Sequence, residues 1–210
     1  MTIQSKSYIL NLSIQTAVPC AAVLIGLNIC RSAWLAILIY HILIIFYLTK
    51  QPKKYLKNIY KGWSLKWFMM LVLPILLMMP LVLLFAKTIF LNNIDMKTWL
   101  AQRGLSGVSL IIFLFYYVLI NPPLEELYWM RLRHSPVLQY LVHTMFAGYH
   151  IIVLSSLFYW PWLCVTFFAL TVISYIWSYT DIHLKGGFIP VLSHAMSDLA
   201  IAIIALKMIS

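Results

Sequence analysis

Long apolar runs broken by short polar intervals dominate the chain. They fall at about residues 8–29, 33–48, 67–90, 106–120, 136–158, 161–179 and 188–208. A transmembrane helix needs roughly 20 consecutive apolar residues, and most of these runs approach that length. The pattern predicts an all-α polytopic membrane protein, a bundle of seven to eight transmembrane helices. The eighth is the stretch from Asn121 to His134, read either as a short helix of its own or as a continuation of the run before it. No soluble domain, low-complexity linker or internal repeat fits between the runs. Pro19 directly before Cys20 suits a lipoprotein signal poorly, so the first run reads as a membrane helix that is kept.

Composition agrees with the pattern. Of 210 residues, 63% are hydrophobic and only 10% charged, against about 25% charged in an ordinary soluble domain. That excludes a soluble globule and a disordered chain. The formal net charge of +10 could suggest nucleic acid, but the basic residues sit between apolar runs, so membrane lipid is the expected partner and no nucleic acid is expected. Lys50, Lys53, Lys54, Lys57, Lys61 and Lys66 crowd the second interval. The positive-inside rule makes the Lys50–Lys66 loop cytoplasmic, and with it the N-terminus, Arg131, Arg133 and Lys185. Cys20, Cys30 and Cys164 show no metal-like spacing and read as small buried residues.

The chain has five acids. Asp95 and Asp181 read as loop residues. Glu125, Glu126 and Asp198 lie within or against apolar runs, where a charge costs about 3 kcal/mol on insertion scales. His150, in Phe146-Ala147-Gly148-Tyr149-His150, and His194, in Ser193-His194-Ala195-Met196-Ser197-Asp198, sit equally deep. Such groups face a protein interior or a cavity. His194 and Asp198 are four apart, on one helix face, so the carboxylate can orient the imidazole. Phe146 lies one turn before His150 and can wall one side of its ring. Carboxylates and histidines from three helices are the minimum set for activating water: a carboxylate removes the proton, and imidazoles hold a metal or stabilise an oxyanion. Asn121 reads as an N-cap and Pro122 as the first helical residue. His150 lies about 14 residues, roughly 21 Å, into its run, so a shared site requires residues 106–133 to form one span broken at Asn121-Pro122-Pro123. His143 and His41 read as packing or interfacial residues, His134 and His183 as solvated loop residues, and Gly186-Gly187 as a flexible link.

In order and spacing, Glu125-Glu126, Phe146 with His150, and His194 with Asp198 resemble the EExxxR, FxxxH and HxxxN/D motifs of the CAAX prenyl protease and bacteriocin-processing (Abi) family of intramembrane metalloproteases. The resemblance covers roughly residues 106–210, a protease core, with 1–105 as N-terminal membrane helices. It implies a glutamate- or metal-dependent endopeptidase acting on a lipidated or membrane-associated peptide substrate. Glu125 would activate water, supported by Glu126. His150 and His194 would complete a water or metal site, for Zn or another divalent metal, and Asp198 would position water or the scissile carbonyl. Where the family carries its Arg this chain has Met130, with Arg131 one residue later. Arg131 is about 140° around an ideal helix from Glu126, too far for the family's pair. A second register takes Glu126 as the first motif position with Arg131 as its Arg. Glu125 is preferred as the base, because the Leu-Glu-Glu-Leu-Tyr-Trp run fits the first register. A non-catalytic relative, acting in bacteriocin immunity or partner binding, is the alternative. A small proton-relaying transporter is a third reading, weakened by the few polar residues in the first three runs.

Overall fold

The computed structural model describes residues 3–51, 56–92, 94–135 and 139–210, with side chains from residue 8 onward. Lys53, Lys54 and Lys6, to which the sequence assigns topology, therefore lie outside the described side chains. The protein is an all-α membrane protein. Among the described residues, five helical stretches are long and apolar enough to cross a bilayer: Tyr8–Ile29, Leu65–Leu84, Gly107–Arg133, Trp160–Leu184 and Phe188–Ile209.

Helix α1 (Ile3–Val23) runs into a π-helical turn at Leu24–Ile29. Gly26 lies in that turn because a Cβ there would sit 2.3 Å from the Ala36 Cα, so glycine lets α1 close on α2 (Ala33–Leu48). Ser32 caps α2 by accepting from the Leu35 N–H. The third apolar run breaks into α3 (Leu65–Leu71), α4 (Leu73–Leu84) and α5 (Ala86–Ile89). Pro74 in the first turn of α4 and Pro80 within it remove backbone donors from the ladder. After α6 (Met96–Ala101), α7 (Gly107–Leu119) and α8 (Asn121–Arg133) form the broken span that a shared site requires, interrupted at Ile120. The run at 136–158 yields α9 (Gln139–Leu154), 16 residues long. The last two helices are α10 (Trp160–Leu184) and α11 (Phe188–Ile209). Pro161 lies in the first turn of α10.

Helix α11 is the central post and packs against α3, α4, α6, α7, α8 and α10. Helix α1 packs on α2 and α9, and α2 on α8, so the N-terminal helices close the sides of the C-terminal group. The link between α10 and α11 is tightly packed, contrary to the flexible reading of Gly186-Gly187. A Cβ on Gly186 would meet the Lys61 carbonyl at 2.4 Å, and Gly187 and Phe188 donate to the carbonyls of Asn58 and Lys61. Other local expectations also change. Cys30 and Cys164 are exposed rather than buried, and Cys20 is half-buried. Asp181 lies inside α10, buried, and accepts from or pairs with His134 at 2.6 Å. His183 is also helical, beside the Tyr179 hydroxyl.

Candidate active site

Glu125 and Glu126 sit in the second turn of α8, just past the break at Ile120. Adjacent residues on a helix point about 100° apart, and the two carboxylates accordingly turn to different partners. Glu125 Oε2 accepts from the Tyr149 hydroxyl of α9 and lies 3.7 Å from His194 Nε2. Glu126 Oε2 pairs with Arg133, and its Oε1 accepts from His194 Nδ1 at 3.0 Å. Both glutamates are buried.

On α9, His150 Nδ1 donates to the Phe146 carbonyl at 2.8 Å, and Nε2 faces the Tyr149 hydroxyl at 3.0 Å. The Phe146 ring stands edge-on to the imidazole, 4.8 Å between centroids, the wall that the four-residue spacing predicts. On α11, His194 stacks on Trp177 at 5.2 Å, and Asp198 Oδ1 lies 3.8 Å from His194 Nε2. The five residues singled out from the sequence, Glu125, Glu126, His150, His194 and Asp198, thus meet from three helices. Arg133 neutralises one of the three carboxylates.

One ligand atom each from Glu125, His150 and His194 lies within 4.8 Å of the others. The hydrogen bonds settle which nitrogens could bind. A carbonyl oxygen only accepts, so His150 Nδ1 carries its proton. The Glu126 carboxylate takes the Nδ1 proton of His194 in the same way. A neutral ring would offer its Nε2 to an ion; in His194 that nitrogen faces the carboxylates of Glu125 and Asp198 at 3.7 and 3.8 Å. Two imidazole nitrogens and a carboxylate are a donor set that could hold a divalent ion such as Zn²⁺.

Several partners were not legible as site residues. Asn121 is not the N-cap; Ile120 occupies that position. Its side-chain amide instead donates to Asp198 Oδ2 at 3.1 Å and receives His41 Nε2 at 3.0 Å. Tyr117 hydrogen-bonds Asp198 as well. Tyr149 is stacked on Trp129, whose Nε1 donates to the Tyr40 hydroxyl at 2.9 Å. The arginine that serves Glu126 is Arg133, seven residues on. Seven residues return to within about 20° of the same face, and that spacing was the available signal. Arg131 bonds Gln15 of α1 instead, so the register pairing it with Glu126 is not the one formed. Met130, at the family's Arg position, is buried beneath Gly187. His143 is a packing residue, as expected: it bonds Ser174 and stacks on Tyr175.

Searches of family models, curated proteins and solved structures return no match to this chain.

Proposed function

We propose that the protein is an intramembrane endopeptidase that hydrolyses a peptide bond in a lipidated or membrane-associated substrate. The observation that carries this reading is the meeting of Glu125, His150 and His194 from three helices, with ligand atoms within 4.8 Å, inside a bundle that otherwise buries few charges. The likeness of the same residues to the CAAX-protease and bacteriocin-processing motifs supports it.

In this reading Glu125 is the general base. It takes a proton from water as the water oxygen attacks the scissile carbonyl carbon. The C–N bond then breaks, and the same proton passes to the leaving amine, so the carboxylate is regenerated. The Tyr149 hydroxyl holds Glu125 in place by donating to it. Glu126, neutralised by Arg133, fixes the His194 ring. Asp198 faces the far side of that ring. His150 and His194 would hold a divalent ion, which when bound lowers the pKa of water and polarises a carbonyl.

The same reading takes Ala33–Leu48 and Gln139–Leu154 as further, shorter crossings. With α7 and α8 counted together or apart this makes seven to eight, and the N-terminus and the Lys50–Lys66 loop are cytoplasmic.

Cleavage of prenylated and leader-type peptides by purified protein tests the proposal, comparing wild type with Glu125→Gln and His194→Ala, with and without chelator. Cleavage by wild type and loss in both variants is the expected result, and the chelator arm decides the metal. No cleavage by well-folded wild type across the panel would overturn it in favour of a non-catalytic immunity or partner-binding protein.

A further inference from the structure

His41 stands in the middle of α2, within Ala33–Leu48, a helix with no other ionisable group except Tyr40 and Tyr47. It is only 2% exposed, and both ring nitrogens are occupied. Nδ1 lies 2.6 Å from the Tyr116 hydroxyl, and Nε2 lies 3.0 Å from Asn121 Oδ1. Asn121 Nδ2 in turn lies 3.1 Å from Asp198 Oδ2. Asp198 is the carboxylate that faces His194.

The donors along this chain can be assigned in order. A carboxylate only accepts, so the amide nitrogen of Asn121 must face Asp198 and its oxygen must face His41. That oxygen only accepts, so His41 Nε2 carries the ring proton. Nδ1 of the neutral ring is then a bare acceptor, and Tyr116 must donate to it. All three bonds run one way, from Tyr116 through His41 and Asn121 to Asp198. Hydrogen bonds aligned in this way polarise one another, more so in a medium of low dielectric.

We propose that His41 is a positioning residue of the candidate site: through Asn121 it fixes Asp198, the carboxylate 3.8 Å from His194 Nε2. Tyr40, the preceding residue, braces the opposite side through Trp129 and the Tyr149 ring. Helix α2 therefore supports both the Asp198 and the Glu125 arms. The effect on cleavage rests on the endopeptidase reading, whereas the order of the hydrogen bonds does not. Partners one shell out from a reacting or ligating group change activity or affinity by about 10- to 100-fold when removed.

The experiment uses full-length protein in lipid nanodiscs with isotope-labelled histidine, comparing wild type, His41→Leu, His41→Gln and Tyr116→Phe. Ring-nitrogen NMR reads which nitrogen of each histidine carries the proton, and His41→Gln assigns the His41 signals by their loss. A neutral His41 protonated at Nε2 is expected in wild type, mixing with the other tautomer in Tyr116→Phe. The His194 signals should move in His41→Leu and return in His41→Gln, whose amide can still donate to Asn121. If wild type cleaves peptide, kcat should fall about 10- to 100-fold in His41→Leu with KM little changed, and His41→Gln should recover most of it. His41 protonated at Nδ1 in wild type would overturn the proposal. So would unmoved His194 signals in folded His41→Leu. Should His41→Leu not fold, the tautomers in wild type and Tyr116→Phe still decide. A wild type that cleaves nothing would count against the endopeptidase reading alone.

Discussion

The spans Leu65–Leu84 and Phe188–Ile209 have nearly the same length, 20 and 22 residues, yet 11% of the first is buried against 44% of the second. The first is the more apolar of the two. Helix α4 within it buries no residue at all, whereas α11 buries Ser193, His194 and Asp198 along with Ile189. In water the most apolar segment would be the most buried. In a bilayer the lipid is as apolar as leucine and there is no hydrophobic drive to bury it. What must be buried is the polar group that lipid cannot satisfy. The less apolar helix therefore becomes the centre of the bundle, and it carries His194 and Asp198 of the cluster.

The sharpest way to break this contrast is at the cluster itself. Glu125→Gln keeps the shape of the side chain and removes the base of the proposed endopeptidase. Cleavage should fall about 10²- to 10⁴-fold, whereas Leu77→Ala on the outer face of α4, where Leu77 is 66% exposed, should leave the rate unchanged. Comparable rates for the two variants would remove the base from Glu125 and with it the distinction between the two spans.

The all-α membrane architecture and the five residues that meet in the cluster were legible because polar groups are so scarce in this chain that each one stands out. A lone acid in an apolar run costs several kcal/mol and signals a partner. That the span breaks was legible too, because proline removes a backbone donor, but the break falls at Ile120, just before Asn121-Pro122-Pro123, which are already helical. What the sequence could not give was which polar group meets which. Asp181 looked like a loop residue because it is followed by a polar stretch, but α10 extends to Leu184 and carries it inside. Asn121 fitted the statistics of a cap, but Ile120 takes the cap position and Asn121 is the first helical residue, so its amide was free for Asp198. His41 and Tyr149 gave no signal beyond their own polarity, since their partners lie 80 and 24 residues away.

The two arginines at the end of α8 sharpen the comparison next. Arg133 is fully enclosed and paired with Glu126, while Arg131 reaches Gln15 near the edge of the bundle. Arg133→Ala strands a buried carboxylate beside His194 and should cost about 3–5 kcal/mol. Arg131→Ala removes a partly exposed contact and should cost less than about 1 kcal/mol. Denaturation of both variants in one detergent measures the difference. Equal losses would mean that the two basic residues serve topology alone.

A smaller effect separates packing from polarity. Ile189 is fully enclosed at the start of α11. In a bilayer the transfer part of an Ile→Ala loss largely disappears, because lipid receives the side chain as well as protein does. The cavity part remains, so Ile189→Ala should cost about 1–3 kcal/mol, below the 2–5 kcal/mol range common in water-soluble cores. A loss at the upper end of that range, in the same assay, would show that burial on α11 is driven as it is in water.

The smallest effect lies outside the membrane-spanning helices. Asp95 caps α6: its carboxylate accepts from the Thr98 hydroxyl at 2.5 Å and from the Thr98 and Lys97 backbone N–H groups. The Thr98 hydroxyl above all, and then these N–H groups, hold the carboxyl below its ordinary value of 3.8. A carboxyl whose pKa is depressed in the fold stabilises above its unfolded value, and that contribution is lost as pH falls through the lower folded value. Wild type should therefore lose slightly more thermal stability than Asp95→Asn on acidification below about pH 4, and the two should run parallel above pH 5. Asp95 is fully solvated, so added salt should shrink the gap. A gap that persists at high salt would place part of the cap out of solvent and make this loop resemble the interior cluster more than the outer helix.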